Sequence, residues 1–211
     1  MAHEVANGLL ARSDAAEAVA RLAIAVVPTG SGNGLAKNLG IEPCDVDTAA
    51  LAILRGRVLS MDAMQVQIPS AAGVTLMHSL VSVSYGIISD VDRESERYRW
   101  MGSTRFTFVA LLKILGLHAV SATVRFKLAP DGQSDDGHTV TLKNRNWICI
   151  IAMNAPFITQ DLQFGPFARL SDGFLDISML PLVSRLRLLW IFLRAEHGQH
   201  VQRVGDDAGN C

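Results

Sequence analysis

The stretch Val26-Val-Pro-Thr-Gly-Ser-Gly-Asn-Gly-Leu-Ala-Lys37 decides how this chain is read. Just before and into it, Ile24 to Val27 is a short β-branched run closed by Pro28, which predicts a buried parallel strand. Glycines at 30, 32 and 34 follow, and Leu35 to Leu39 returns to helical spacing. A strand, a glycine-rich loop and a helix start can together cradle an anion. Backbone N–H groups approach it without a Cβ in the way, and the helix adds the positive end of its dipole. Thr29, Ser31 and Asn33 supply side-chain hydrogen-bonding groups at the same point. No lysine directly follows the last glycine, so this is not a Walker A loop, and the third glycine comes one residue early for a dinucleotide fingerprint. Taken alone, the pattern is as much a turn joining strand to helix as a ligand site.

Working outward, His3 to Ala11 carries Val5, Leu9 and Leu10 at helical spacing, and Asp14 with Glu17 predicts a capped second helix over Ala15 to Leu22. Asp47 is the expected N-cap of a helix from Thr48 to Leu54 that Gly56 ends. Beyond Gly56 the texture changes. Val58 to Ile68 and Thr75 to Tyr85 predict a hairpin around the turn at Pro69 to Gly73. Phe106 to Leu117 reads as a helix, and Thr123 to Leu128, Thr139 to Leu142, Trp147 to Met153 and Leu175 to Leu180 read as strands. A last helix is expected over Ser184 to Ala195. The chain is therefore α/β up to about residue 57 and mostly β with helical insertions afterwards.

Composition narrows the function classes. The 211 residues are 49% hydrophobic and 18% charged, enough for a real core and against intrinsic disorder. Nineteen basic against twenty acidic side chains leave a net charge of −1, without the basic field that nucleic-acid binding uses. Cys44, Cys149 and Cys211 are too scattered for a disulfide framework or a zinc site and point to a reducing, cytoplasmic setting. No run reaches the roughly 20 apolar residues of a spanning helix. Leu186 to Leu193, bracketed by Arg185 and Arg194, reads as a core helix, and Trp147 and Trp190 read as core residues.

A second chemical feature is Gly86-Ile-Ile-Ser-Asp90-Val-Asp92-Arg-Glu94-Ser-Glu96-Arg97-Tyr-Arg99, followed by Arg105. Acids and bases crowded beside an apolar run can hold a polar head group and phosphates together, and arginine's planar fork suits phosphate oxygens. The alternative is a solvated helix face with pairs such as Glu94–Arg97.

The two features occur in a recognisable order: His3-Glu4-Val-Ala-Asn7-Gly8, then Pro28-Thr-Gly-Ser-Gly-Asn33, then Asp90 to Arg99, then Arg105-Phe106. In this the sequence resembles the sphingosine kinases, within the wider diacylglycerol kinase catalytic superfamily. Phe167-Ala-Arg-Leu-Ser-Asp172-Gly-Phe-Leu-Asp176 is similar to the superfamily's general Asp-Gly-x-x-Asp element. The resemblance implies a partial Rossmann-like nucleotide-binding domain over 1–57 and a mostly antiparallel β-sandwich lipid domain over 58–211. It implies ATP and Mg²⁺ as cofactors, and transfer of the γ-phosphate to the primary hydroxyl of a sphingoid base, with a diacylglycerol or ceramide kinase or an inactive fragment as alternatives. Peripheral membrane association in the cytoplasm is expected, and a homodimer is compatible with the family.

Residue by residue, the resemblance places Glu4, Thr29, Gly30, Ser31, Gly32 and Asn33 at the nucleotide, and Arg99 and Arg105 at its phosphates. Asp92 matches the carboxylate that holds the amino-alcohol head group, and Ser82 a second head-group contact. Ile88, Val91, Phe106 and Ala110 fall where the family lines its acyl tunnel. The family's catalytic aspartate, in a Gly-Asp-Gly loop, is expected upstream of Met1, so no catalytic residue is assigned here and the chain reads as a fragment cut at both ends. With its neighbouring strands missing, the part before about residue 57 is expected to pack poorly in isolation.

Overall fold

The computed structural model describes residues 2–71, 73–102, 104–129 and 138–195, together with Gly198. In chain order the helices α1 (Ala2–Leu10), α2 (Ala15–Arg21), α3 (Gly34–Asn38) and α4 (Val46–Leu54) precede the strands β1 (Met64–Ser70), β2 (Gly73–Ser79) and β3 (Ser82–Gly86). Then come α5 (Ile87–Ser95), a 3₁₀ helix over Glu96–Met101, and α6 (Thr104–Leu115). The remainder is β4 (Val120–Lys127), β5 (Thr139–Met153), β6 (Phe157–Thr159), β7 (Leu162–Gln163), β8 (Asp176–Pro181) and α7 (Arg185–Ala195). Two compact units result, one built from Met1–Val83, Met153–Asp176 and the chain from Ala195 on, the other from Ser84–Ala152 and Ile177–Arg194.

In the first unit the expected strand Ile24 to Val27 does not form. No strand among the described residues runs beside it, so its backbone has no ladder to join. Only Val26 of that run packs inward, with Cys44, onto a small cluster of Ala36, Ile41 and Ala49, while Ile24 and Val27 stay exposed. The caps also differ from expectation. Asp45, not Asp47, caps α4, its carboxylate accepting from the Thr48 N–H at 2.7 Å; Asp47 lies inside the first turn. Asp14 stands at the N-cap of α2 but makes no capping bond, because Arg12 engages both its oxygens at 2.6 and 2.7 Å.

The predicted hairpin is present, with β1 and β2 antiparallel from Met64 opposite Ser79 to Ser70 opposite Gly73. Asn154, almost wholly buried, ties the surrounding loops: its side-chain N–H₂ donates to the Asp62 and Leu80 carbonyls at 2.7 and 2.9 Å. Asp62 in turn accepts from Gly173 N–H at 2.8 Å, holding the Asp172–Gly173 turn.

The second unit contains a sheet in which β5 lies between β3 and β4, with β8 also paired to β5. Sequence reading splits β5 into two strands at Lys143 to Asn146, whereas the structure keeps one strand through them. Lys143 and Asn144 stand against Thr123 alone, and Asn144, at φ 49°, donates its N–H to Thr123 Oγ1 at 3.2 Å. This is a β-bulge, which bends the strand without ending it. Beyond it Trp147 to Met153 is nearly continuously buried, as a central strand requires. Ile148, with Ile114 of α6 and Leu188 of α7, forms a core that Ile87, Leu117, Leu180, Val183 and Leu189 join. Gly86 bends the chain out of β3 at φ 87°, and a Cβ there would fall 2.2 Å from the Ile148 carbonyl oxygen.

Candidate functional site

The glycine-rich loop belongs to the first unit. Thr29 and Gly30 are exposed; Ser31, Gly32 and Asn33 are half-buried. Gly30 N–H donates to Asn33 Oδ1 at 3.1 Å, and Asn33 adopts the left-handed conformation, φ 49°, that starts α3. The loop is pinned to β6: Gln160 N–H donates to the Gly32 carbonyl at 2.7 Å, and Asn33 bridges Thr159. One turn on, Asn38 and Phe157 exchange hydrogen bonds of 2.7 and 2.9 Å. The three glycines do different things. A Cβ at Gly34 would sit 2.0 Å from the Ile158 carbonyl oxygen, so that glycine serves loop docking. A Cβ at Gly30 or Gly32 would find its nearest neighbour at 3.4 and 3.8 Å, so those two leave the loop's backbone approachable. Glu4 is exposed in the first turn of α1, and Ser82 is half-buried at the start of β3, its carbonyl accepting from Ser79 Oγ at 2.8 Å.

The charged signature lies in the second unit, where α5, the 3₁₀ helix and α6 pack together. Arg105 enters α6 only 5% exposed. Its Nη2 pairs with Glu96 Oε1 at 3.0 Å, and its guanidinium lies 4.6 Å from the Phe106 ring centre. Its Nε and Nη1 are buried with no hydrogen-bond partner among the described residues. The other oxygen of Glu96 takes Arg99 Nε at 2.9 Å, so one carboxylate joins both arginines. Asp92 retains accessible surface, yet the protein crowding its carboxyl raises its pKa above the usual carboxylate range. The Glu96 charge adds to that rise and the Arg105 charge offsets part of it. Ile88 and Val91 of α5 and Phe106 of α6 are partly buried, and Ala110 is fully so.

Asp92, Arg99 and Arg105 are thus assembled around Glu96, a residue that sequence reading gave no role. The signal was available, since Glu96 is four residues after Asp92 and three before Arg99, which is one helix face. Glu94 reaches Lys113 of α6 at 2.5 Å, a bond that holds its carboxyl below the ordinary range; the expected local partner was Arg97. Trp147 is buried, but Trp190 is half exposed and is not a core residue.

Both clusters lie inside stretches that match known families. The pattern of the diacylglycerol kinase catalytic domain matches residues 1–66, and that of the YegS C-terminal NAD kinase beta sandwich-like domain matches residues 81–205. The chain belongs to the diacylglycerol kinase catalytic superfamily. Within this superfamily it is similar to sphingosine kinase 1 of Arabidopsis thaliana, 32% identical over 94% of this chain and 46% of that protein. It is 28% identical to human sphingosine kinase 1 over 95% of this chain and 60% of that one. The chain spans about half the length of the plant relatives it matches. A putative diacylglycerol kinase from Bacillus anthracis shares the superfamily fold, with a TM-score of 0.52 and 17% identity over 89% of this chain and 63% of that one.

A phosphate-bearing nucleotide fits the second cluster, because two buried nitrogens of Arg105, Nε and Nη1, have no partner among the described residues and an anion is what their N–H groups lack. Among the described residues no three His, Cys, Asp or Glu side chains converge on one point. Mg²⁺, when bound, would be held through the nucleotide's own phosphates. Among the described residues no helix is long and apolar enough to cross a membrane.

Proposed function

We propose that this chain is part of an ATP-dependent lipid kinase whose acceptor is the primary hydroxyl of a sphingoid base. The observation that carries this reading is the set Asp92, Glu96, Arg99 and Arg105: a carboxylate with a raised pKa beside a buried guanidinium with unsatisfied N–H groups. A cationic amine is the ligand that Asp92 lacks. Its charge would draw the carboxyl back to the ionised form and orient the lipid. In the second unit Arg99 and Arg105 take phosphate oxygens; in the first, Gly30 to Asn33 with Glu4 and Thr29 are assigned to the nucleotide and Ser82 to the head group. Ile88, Val91, Phe106 and Ala110 take the acyl chain. In the transfer the lipid hydroxyl oxygen bonds to the γ-phosphorus as the bond to the β–γ bridging oxygen breaks, and ADP leaves. Mg²⁺, when bound, neutralises phosphate charge. The hydroxyl proton passes to a carboxylate of the kind the family carries in its Gly-Asp-Gly loop.

In this reading residues 1–57 belong to a Rossmann-like nucleotide domain and 58–211 to a β-sandwich lipid domain. The enzyme works in the cytoplasm at a membrane periphery, where its substrate resides. Transfer from labelled ATP to sphingosine and to diacylglycerol, compared for the wild type and Asp92→Asn, tests the assignment. The substitution should cut sphingosine turnover about tenfold or more and leave diacylglycerol turnover nearly unchanged. Equal losses on both lipids would overturn the role of Asp92. Lipid binding without any transfer would assign the chain to an inactive, lipid-binding fragment.

A further inference from the structure

Helix α7 has two apolar faces, and among the described residues only one is packed. Leu188 points into the second unit, within the core formed with Ile114 and Ile148. On the opposite side Leu186, Trp190 and Leu193 recur at the i, i+4, i+7 spacing of a single stripe. They are 81%, 51% and 61% exposed. Arg187 and Arg194 run along one flank of that stripe, with Arg194 stacked 4.2 Å from the Trp190 ring centre, and Arg185 stands at the helix start. The eleven-residue helix contains three arginines and no acid. A stripe of leucine and tryptophan edged by arginine is complementary to one kind of surface: an apolar layer beneath anionic head groups. Tryptophan favours that boundary because its ring is apolar and its N–H is polar. A water-facing helix in a chain of net charge −1 has no need of this local +3 field.

We infer that the outer face of α7 docks on an anionic lipid bilayer, with Leu186, Trp190 and Leu193 inserted at the head-group boundary and the arginines on lipid phosphates and carboxylates. This deepens the lipid-kinase reading by naming a surface through which the protein meets its substrate's phase. Its test needs neither ATP nor turnover, so vesicle binding and phosphoryl transfer can fail separately.

The 211-residue chain is sedimented with vesicles of phosphatidylcholine alone and with about 30% phosphatidylserine, at low and high salt. The expected result is binding to the anionic vesicles only, weakened by salt, with a blue shift of Trp190 emission read in a Trp100→Phe background. The other remaining tryptophan, Trp147, is buried, so its emission contributes a constant background. Leu186→Gln with Leu193→Gln, both at exposed positions, should weaken partition about tenfold with an unchanged circular dichroism spectrum. Arg187→Gln with Arg194→Gln should weaken it and flatten the salt dependence. Undiminished binding by the leucine variant would overturn the proposal, as would equal binding to neutral vesicles. A wild-type dimer that the leucine variant dissociates, without vesicle binding by either, would assign the stripe to a second copy of the chain and overturn it equally.

Discussion

The glycine-rich loop and the charged signature are both candidate phosphate sites, yet they are built on opposite principles. The loop is held by main-chain geometry: Gly32, Asn33 and Asn38 fasten it to β6, and its approachable surface is backbone. The signature is held by side-chain charge, with Glu96 shared between Arg99 and Arg105 and with Arg105 sunk into the protein short of partners. A site of the first kind depends on the absence of a Cβ. A site of the second kind depends on a charge that the fold only half satisfies, and such a charge costs stability while it waits for its ligand.

That contrast breaks first at Gly34. Gly34→Ala should destabilise the first unit by about 3 kcal/mol, because the new Cβ meets a main-chain oxygen that cannot swing aside. Gly30→Ala should leave the melting temperature nearly unchanged. If thermal denaturation shows the two variants alike, the loop is not docked as described. At the charged site the opposite pattern is expected. Arg105→Met keeps the bulk of the side chain and removes an under-satisfied buried charge, so its stability should fall within about 1 kcal/mol of wild type. Its affinity for ATP, measured by calorimetry, should drop at least about a hundredfold, or about 2.7 kcal/mol. A strongly destabilised Arg105→Met would mean that Arg105 is a structural strut.

Asp92 sharpens the comparison through pH. Its pKa in the folded chain lies above the unfolded value, so folding favours the protonated acid. The group therefore costs nothing below the ordinary carboxylate range and becomes destabilising as pH rises through the raised pKa. Asp92→Asn should raise the melting temperature at neutral pH, and the gain should vanish in acid. A gain that persists in acid would place its origin elsewhere. The smallest effect is expected at α4, where Asp45→Ala should lower the melting temperature by a few degrees through loss of the Thr48 N–H bond and Asp47→Ala should not. Reversal of the two would restore the cap that sequence reading assigned to Asp47.

Most helices and the hairpin were legible because their signals are local: periodicity, a turn-forming Pro69 to Gly73, a capping acid within two residues of the true one. What was not legible depended on partners far along the chain. Ile24 to Val27 has strand composition, but a strand is a relation between segments, and no neighbour stands beside it among the described residues. The polar run Lys143 to Asn146 looks like a turn until Thr123 of the adjacent strand is seen to absorb the extra residue. At the site, residue types singled out Asp92, Arg99 and Arg105, which the structure brings around one carboxylate. They gave no notice that Glu96 would join them or that Arg105 would be buried. Both facts arise from the packing of α6 against α5 and the 3₁₀ helix.

Asn154 has a mechanical consequence. Its single N–H₂ group clasps the main chain at both Asp62 and Leu80, and Asp62 clasps the turn at Gly173. Three loops distant in sequence are therefore leashed to one amide, and none can swing out without slackening the others. A disturbance of the Asp172–Gly173 turn is felt at Leu80, two residues before Ser82, with no helix or strand needing to shift between them.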